Sequence, residues 1–80
     1  MTEQEIWPAL TEVFRELFDD DEIVIGPETT ADDIEDWDSV TNVQLLVAVE
    51  ERFGVRFNTG EIAGLEDVGQ MVALMAVRLS

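Results

Sequence analysis

The chain has 80 residues, no Cys, no His and no Lys, and sets 19 acidic side chains against four arginines (Arg15, Arg52, Arg56, Arg78) for a formal net charge of −15. That length makes one domain, residues 1–80, with a thin core, and a hydrophobic content of 46% with only 2 Pro and 5 Gly argues for a folded chain rather than a disordered one. Disulfides and thiolate zinc sites need Cys, nucleic-acid affinity needs cationic contacts, and most acid–base or nucleophilic catalysis needs His, Cys or Lys, so none of these is expected and an enzyme is not.

Thr2 and Glu5 have the spacing of a capping box, and Ile6, Leu10, Val13, Phe14, Leu17 and Phe18 follow at helical intervals. These predict an amphipathic first helix ending near Asp19-Asp20-Asp21, with Pro8 bending it or delaying its start. The stretch Met1 to Glu5 lacks the basic start and apolar core of a secretory signal, and no apolar run approaches about 20 residues, which predicts a cytoplasmic protein without a membrane span.

Residues 19 to 38 read as a long connection, with Ile23-Val24-Ile25 as an apolar tether and Gly26-Pro27 as a turn. Connections of this length without structure of their own are uncommon and often functional. The acidic runs within it read as solvated charge, because neither has the glycine or the terminal Glu of a calcium loop. No metal site is predicted.

The connection leads into Asp36-Trp37-Asp38-Ser39-Val40, which places a hydroxyl where acidic loop gives way to a mostly apolar helix. A serine at a helix start lies near free backbone N–H groups and the positive end of the helix dipole, which favours a phosphate attached there. Ser39 could instead serve only as an N-cap. Trp37 either closes the edge of the core or contributes to a contact with a partner.

The second helix is predicted over Ser39 to Phe53, with Gly54 as the residue after its end and Val55 in the accompanying hydrophobic contact. Its apolar set is too wide for one buried stripe, so some of it must face outward; spacing puts positions 40, 43, 47 and 51 on one face. Asn58 and Glu61 predict a cap for a short helix over 59–63. Asp67 and Gln70 predict a cap for a last helix with Val68, Met71, Val72, Met75, Ala76 and Leu79 at helical spacing. Gly69 lies in its first turn, where a missing side chain permits close approach of a neighbour. Met71 and Met75 read as core fillers, though Met also suits a cavity accepting varied chains. No strand is predicted. The expected fold is all-α: three longer helices and one short helix in a small bundle, with a long loop between the first and second helices.

The run Asp38-Ser39-Val40, the stretch Leu45-Leu46-Val47-Ala48-Val49-Glu50-Glu51-Arg52-Phe53-Gly54-Val55, and Leu65-Glu66-Asp67-Val68-Gly69 together resemble the acyl carrier protein family over nearly the whole chain. The resemblance implies that a phosphopantetheinyl transferase joins 4′-phosphopantetheine from coenzyme A to Ser39, and that acyl groups ride on the arm's thiol as thioesters. It implies further that Asp38 meets the transferase, that Val40 and Val47 are apolar contacts and Glu50 and Glu51 acidic contacts for partner enzymes, and that the carrier is itself non-catalytic. Those partners load, condense or transfer acyl groups through basic docking patches, and the carrier works as a monomer. The family often has Gly near positions 36 and 37, here Asp and Trp, and is usually acidic where Thr41, Asn42 and Gln44 are neutral. These departures point away from a housekeeping fatty acid carrier toward a discrete carrier of a specialised fatty acid, polyketide or related pathway. The competing readings are a carrier of aminoacyl or peptidyl groups, an acidic interaction protein without an arm, and, more remotely, a carboxylate-based enzyme.

A surplus of negative charge on so small a body repels itself, and counterions screen that repulsion. Added monovalent or divalent cations should therefore raise the melting temperature, as a thermal scan across a salt series will read; a flat response from low to moderate salt contradicts this account of the charge.

Overall fold

The computed structural model describes residues 2–58, 60–61 and 64–79. Three α-helices carry the fold: α1 over Glu3–Leu17, α2 over Ser39–Phe53 and α3 over Val68–Leu79, with one turn of 3₁₀ helix at Ala31–Asp33 between α1 and α2. No strand is present among the described residues. The short helix expected over 59–63 falls mostly outside the described residues. Its predicted reciprocal cap is formed: the Glu61 amide donates to Asn58 Oδ1 (2.8 Å) and the Asn58 amide to Glu61 Oε1 (3.0 Å).

Helix α1 begins where its cap predicts, the Thr2 amide donating to Glu5 Oε1 at 3.0 Å. That bond draws the Glu5 carboxyl below its ordinary pKa, because it favours the charged form. Pro8 does not delay the helix, which runs through it from Glu3. The acceptor that its missing N–H leaves over is the Gln4 carbonyl, one turn back on an exposed residue where water can reach it. The helix stops at Phe18, and Asp19 turns the chain with a positive φ of 51°.

The core is built from the apolar stripe of α1 (Ile6, Leu10, Val13, Phe14), the inner side of α2 (Leu45, Leu46, Val49) and that of α3 (Val68, Met71, Val72, Met75), joined by Ile23, Ile25 and Val55 from the connections. Both methionines are core, as predicted. Gly54 ends α2 in the left-handed region at φ 69°, its amide donating to the Glu50 carbonyl at 2.9 Å, and Val55 folds inward behind it. The far end of the bundle is tied by Arg78, which bonds the Glu61 carboxylate and the Arg56 carbonyl. An exposed pair, Arg52 with Glu12 at 3.6 Å, spans α2 and α1.

The connection between α1 and α2 is not free chain. Arg15 Nε donates to the Ile23 carbonyl at 2.8 Å and holds its first part against α1. At the Gly26-Pro27 turn the Thr29 amide donates to the Gly26 carbonyl (3.1 Å) and the Gly26 amide to Thr29 Oγ1 (2.8 Å). This turn then meets the start of α3. The amides of Val68 and Gly69 donate to the carbonyls of Thr29 (2.9 Å) and Pro27 (3.1 Å), while Gln70 donates to Asp67 Oδ1 (2.8 Å). Amides that a helix start leaves unpaired are thus satisfied by the loop.

Such an approach needs glycine at 69. A Cβ there would lie 2.6 Å from the Pro27 carbonyl oxygen and 3.0 Å from its Cα, both backbone atoms with no rotamer to escape into. Crowding of this kind costs about 1–3 kcal/mol, more than the ~0.5–1 kcal/mol that alanine returns through helix propensity and chain entropy. Gly69→Ala should lower the melting temperature by about 4–8 °C per net kcal/mol lost, followed by far-UV circular dichroism; an unchanged or raised value contradicts the close contact.

Candidate functional site

Two adjacent residues at the start of α2 compete to cap it, and the structure gives the task to Asp38. Its Oδ1 accepts from the amides of Val40 (2.9 Å) and Thr41 (3.0 Å), while the Asp38 amide donates to Thr41 Oγ1 (2.7 Å), a reciprocal capping box. The Thr41 hydroxyl donates in turn to the Asp36 carbonyl at 2.8 Å and ties the preceding loop to the helix. Bonds from the Thr41 and Val40 amides, in that order, hold the Asp38 carboxyl below its ordinary pKa.

Ser39 is therefore the first residue of the helix rather than its cap, and it is exposed. Among the described residues no hydrogen bond engages its hydroxyl. One expectation needs correcting here. The amides of Val40 and Thr41, which a phosphate on Ser39 was expected to find free, are already bonded to Asp38. A phosphate at Oγ would keep the attraction of the helix dipole but lie beside a carboxylate.

The wall behind Ser39 is built by Trp37. Its ring packs edge-on against Phe14, centroids 5.3 Å apart at an interplanar angle of 79°, and its Nε1–H donates to Asn42 Oδ1 at 2.9 Å. Trp37 is half-buried and closes the core edge at this end of the bundle. A cavity of about 300 Å³ opens beside it, with Trp37, Asn42, Leu46, Leu65 and Met71 along its sides and Asp38, Ser39, Glu66 and Asp67 among its margin. Sequence reasoning missed Asn42 and Leu65 as parts of this site. For Asn42 the signal was available, since it stands one helical turn after Ser39 on the same face.

Of the residues proposed as partner contacts, Val40 (66% exposed) and Val47 (48%) face outward, together with Val43 (61%). Glu51 is exposed on the same face, so the outward stripe is 40, 43, 47 and 51. Glu50 differs: it is half-buried, and its Oε2 accepts from the Phe57 amide at 2.9 Å, which pins the chain after α2.

An exposed serine with an unused hydroxyl, an adjoining apolar cavity and an outward valine stripe fit a covalently attached flexible arm. Among the described residues no group of carboxylates is arranged to hold a metal ion, and no helix is long and apolar enough to cross a membrane. The family model for the phosphopantetheine attachment site matches residues 8–75. An acyl carrier protein from Acidothermus cellulolyticus is 34% identical over 76 residues, which span 95% of this chain and 90% of that protein. A meromycolate extension acyl carrier protein from Mycolicibacterium smegmatis is 33% identical over 72 residues, 90% of this chain and 73% of the relative. Among solved structures, the solution NMR structure of holo acyl carrier protein from Geobacter metallireducens superposes with a TM-score of 0.86 at 41% identity, covering 91% of this chain and 84% of that one.

The cap itself is open to test. Asp38 has a lowered pKa in the fold, so its stabilising effect is present above the ordinary value of 3.8 and is lost as pH falls through the lower folded value. Asp38→Ala should melt a few degrees below the parent at neutral pH, and the gap should close only well below pH 3.8. Comparing the two proteins by thermal scan at each pH cancels the other carboxylates; a gap constant down to the lowest pH contradicts the charged cap.

Proposed function

The chain belongs to the acyl carrier protein family, carrying its acyl intermediates on a phosphopantetheine group, and from that premise we propose that Ser39 is the attachment residue. The observation that carries this reading is the division of labour at the head of α2: Asp38 makes the cap, and the Ser39 hydroxyl is left exposed and uncommitted. Ser39 Oγ gives up its proton and attacks the pantetheine-bearing phosphorus of the coenzyme A pyrophosphate, the P–O–P bond breaks with adenosine 3′,5′-bisphosphate as the leaving group, and Oγ becomes the oxygen joining the protein to the arm's phosphate. When bound, the arm supplies a thiol that the chain lacks, on which acyl groups are held as thioesters.

Proteins of this family work with biosynthetic enzymes and are modified by a phosphopantetheinyl transferase. For this chain, residues 1–80 act as one non-catalytic, monomeric, cytoplasmic carrier domain. Asp38, next to the modified serine, is presented to the transferase. Val40 and Val47 offer small apolar contacts, and Glu51 a carboxylate, to a partner with a basic docking patch. Glu50 contributes charge to that face while bracing the Phe57 amide, and Trp37 supports it from behind the serine. What supports this assignment is the outward stripe of α2 combined with a net charge of −15. An interface of that kind associates quickly by electrostatic steering, buries little area and releases readily. A cargo held on the docked carrier meets the partner's active site at high effective concentration.

Incubation with coenzyme A and a broad-specificity phosphopantetheinyl transferase should raise the intact mass by one phosphopantetheine, and Ser39→Ala should abolish the gain. Peptide mapping that finds the arm on another residue, or no gain in the parent protein, removes the basis for this reading.

A further inference from the structure

The cavity beside Ser39 has an unusual balance of hydrogen-bonding groups. Indole Nε1–H is a donor only, so the Asn42 atom it meets at 2.9 Å must be the carboxamide oxygen, and this fixes which way round the amide lies. The carboxamide nitrogen, with its two N–H groups, is then free of Trp37. Among the residues lining the cavity, Asp38, Glu66 and Asp67 offer only acceptors when ionised, the Trp37 donor is already taken, and attachment of the arm consumes the Ser39 hydroxyl. Asn42 is what remains as a side-chain donor. It stands between Ser39 and Leu46 on one helix face and lines the same cavity as the apolar side chains of Leu46, Leu65 and Met71.

We propose that Asn42, oriented by Trp37, is a specificity-determining residue that selects acyl cargo bearing an acceptor oxygen near its thioester, such as a 3-oxo or 3-hydroxy acyl group, over fully saturated cargo. The inference rests on Ser39 being the attachment residue. A saturated chain laid against the carboxamide takes its donors from water and returns nothing, whereas an oxygen on the first carbons of the cargo accepts from them. The thioester carbonyl is common to every cargo and cancels in the comparison. Size does not separate two cargoes of equal length in a cavity of about 300 Å³, so the choice between them falls to the carboxamide donors.

The test loads the protein with octanoyl or 3-oxooctanoyl phosphopantetheine, with intact mass first showing that each cargo is on Ser39, so that a failure of attachment is seen separately. Cleavage of each thioester by hydroxylamine is then timed relative to the same thioester on free pantetheine, while the Trp37 indole N–H resonance is followed by NMR. The expected result is that the 3-oxo cargo is protected more than the saturated one, on the order of fivefold for one net hydrogen bond, and that it alone shifts the indole signal. Asn42→Asp keeps an acceptor for Trp37 and removes both donors, so it should erase the difference while the indole signal of the unloaded protein shows the Trp37 contact intact. Equal protection of the two cargoes in the parent, or a preference that survives Asn42→Asp, overturns the proposal.

Discussion

The fold depends on one junction, where the Gly26–Thr29 turn lends its carbonyls to the first amides of α3. A chain this small has little core to spare for holding a long connection, and a helix start has amides to satisfy. The bonds from Val68 and Gly69 to Thr29 and Pro27 meet both needs at once. With that turn fixed to α3, and Arg15 fixing Ile23 to α1, the connection spans two helices as a strut. Trp37, at its end, then packs on Phe14 with a defined place for its indole N–H. The position of Ser39 is inherited from contacts made far from it in sequence.

Helix α2 divides its apolar residues between two uses. Leu45, Leu46 and Val49 are buried and contribute to stability, while Val40, Val43 and Val47 are exposed and contribute nothing comparable to it. Valine on the outer stripe is small and stiff, so covering it would cost little rotamer entropy. Larger aromatic side chains at those positions would make tighter contacts with slower release. A net charge of −15 favours encounter with cationic surfaces without adding contact area.

Much of this was legible in the residues, and what was not had tertiary causes. The caps at Thr2, Asn58 and Asp67, the glycine end of α2 and the last helix are local chemistry, fixed by three or four neighbouring residues. The choice of Asp38 over Ser39 as cap was also local: Thr41 three residues on completes a box with Asp38, and that spacing stood in the sequence. By contrast, periodicity put 40, 43, 47 and 51 together without saying whether the face looks inward, since that depends on where α1 and α3 pack. Gly69 announced a close neighbour but could not name Pro27, because the contact joins segments more than forty residues apart. The delay expected from Pro8 does not occur because the rule against proline inside helices weighs one lost bond, and here the stranded carbonyl lies in an exposed first turn.

The pairing of Asp38 with Ser39 shows why two polar residues are needed where one would cap a helix. A serine that caps its own helix has its oxygen bonded to backbone amides, turned toward the helix and away from any electrophile it is to attack. Moving the cap one residue earlier, to a carboxylate whose charge suits the helix dipole, leaves the next hydroxyl with no structural duty. The arrangement has a cost in electrostatics, since a phosphate placed on Ser39 adds negative charge beside Asp38 in a molecule that already carries a charge of −15. A negative charge placed there would draw that end of the molecule toward cationic surfaces.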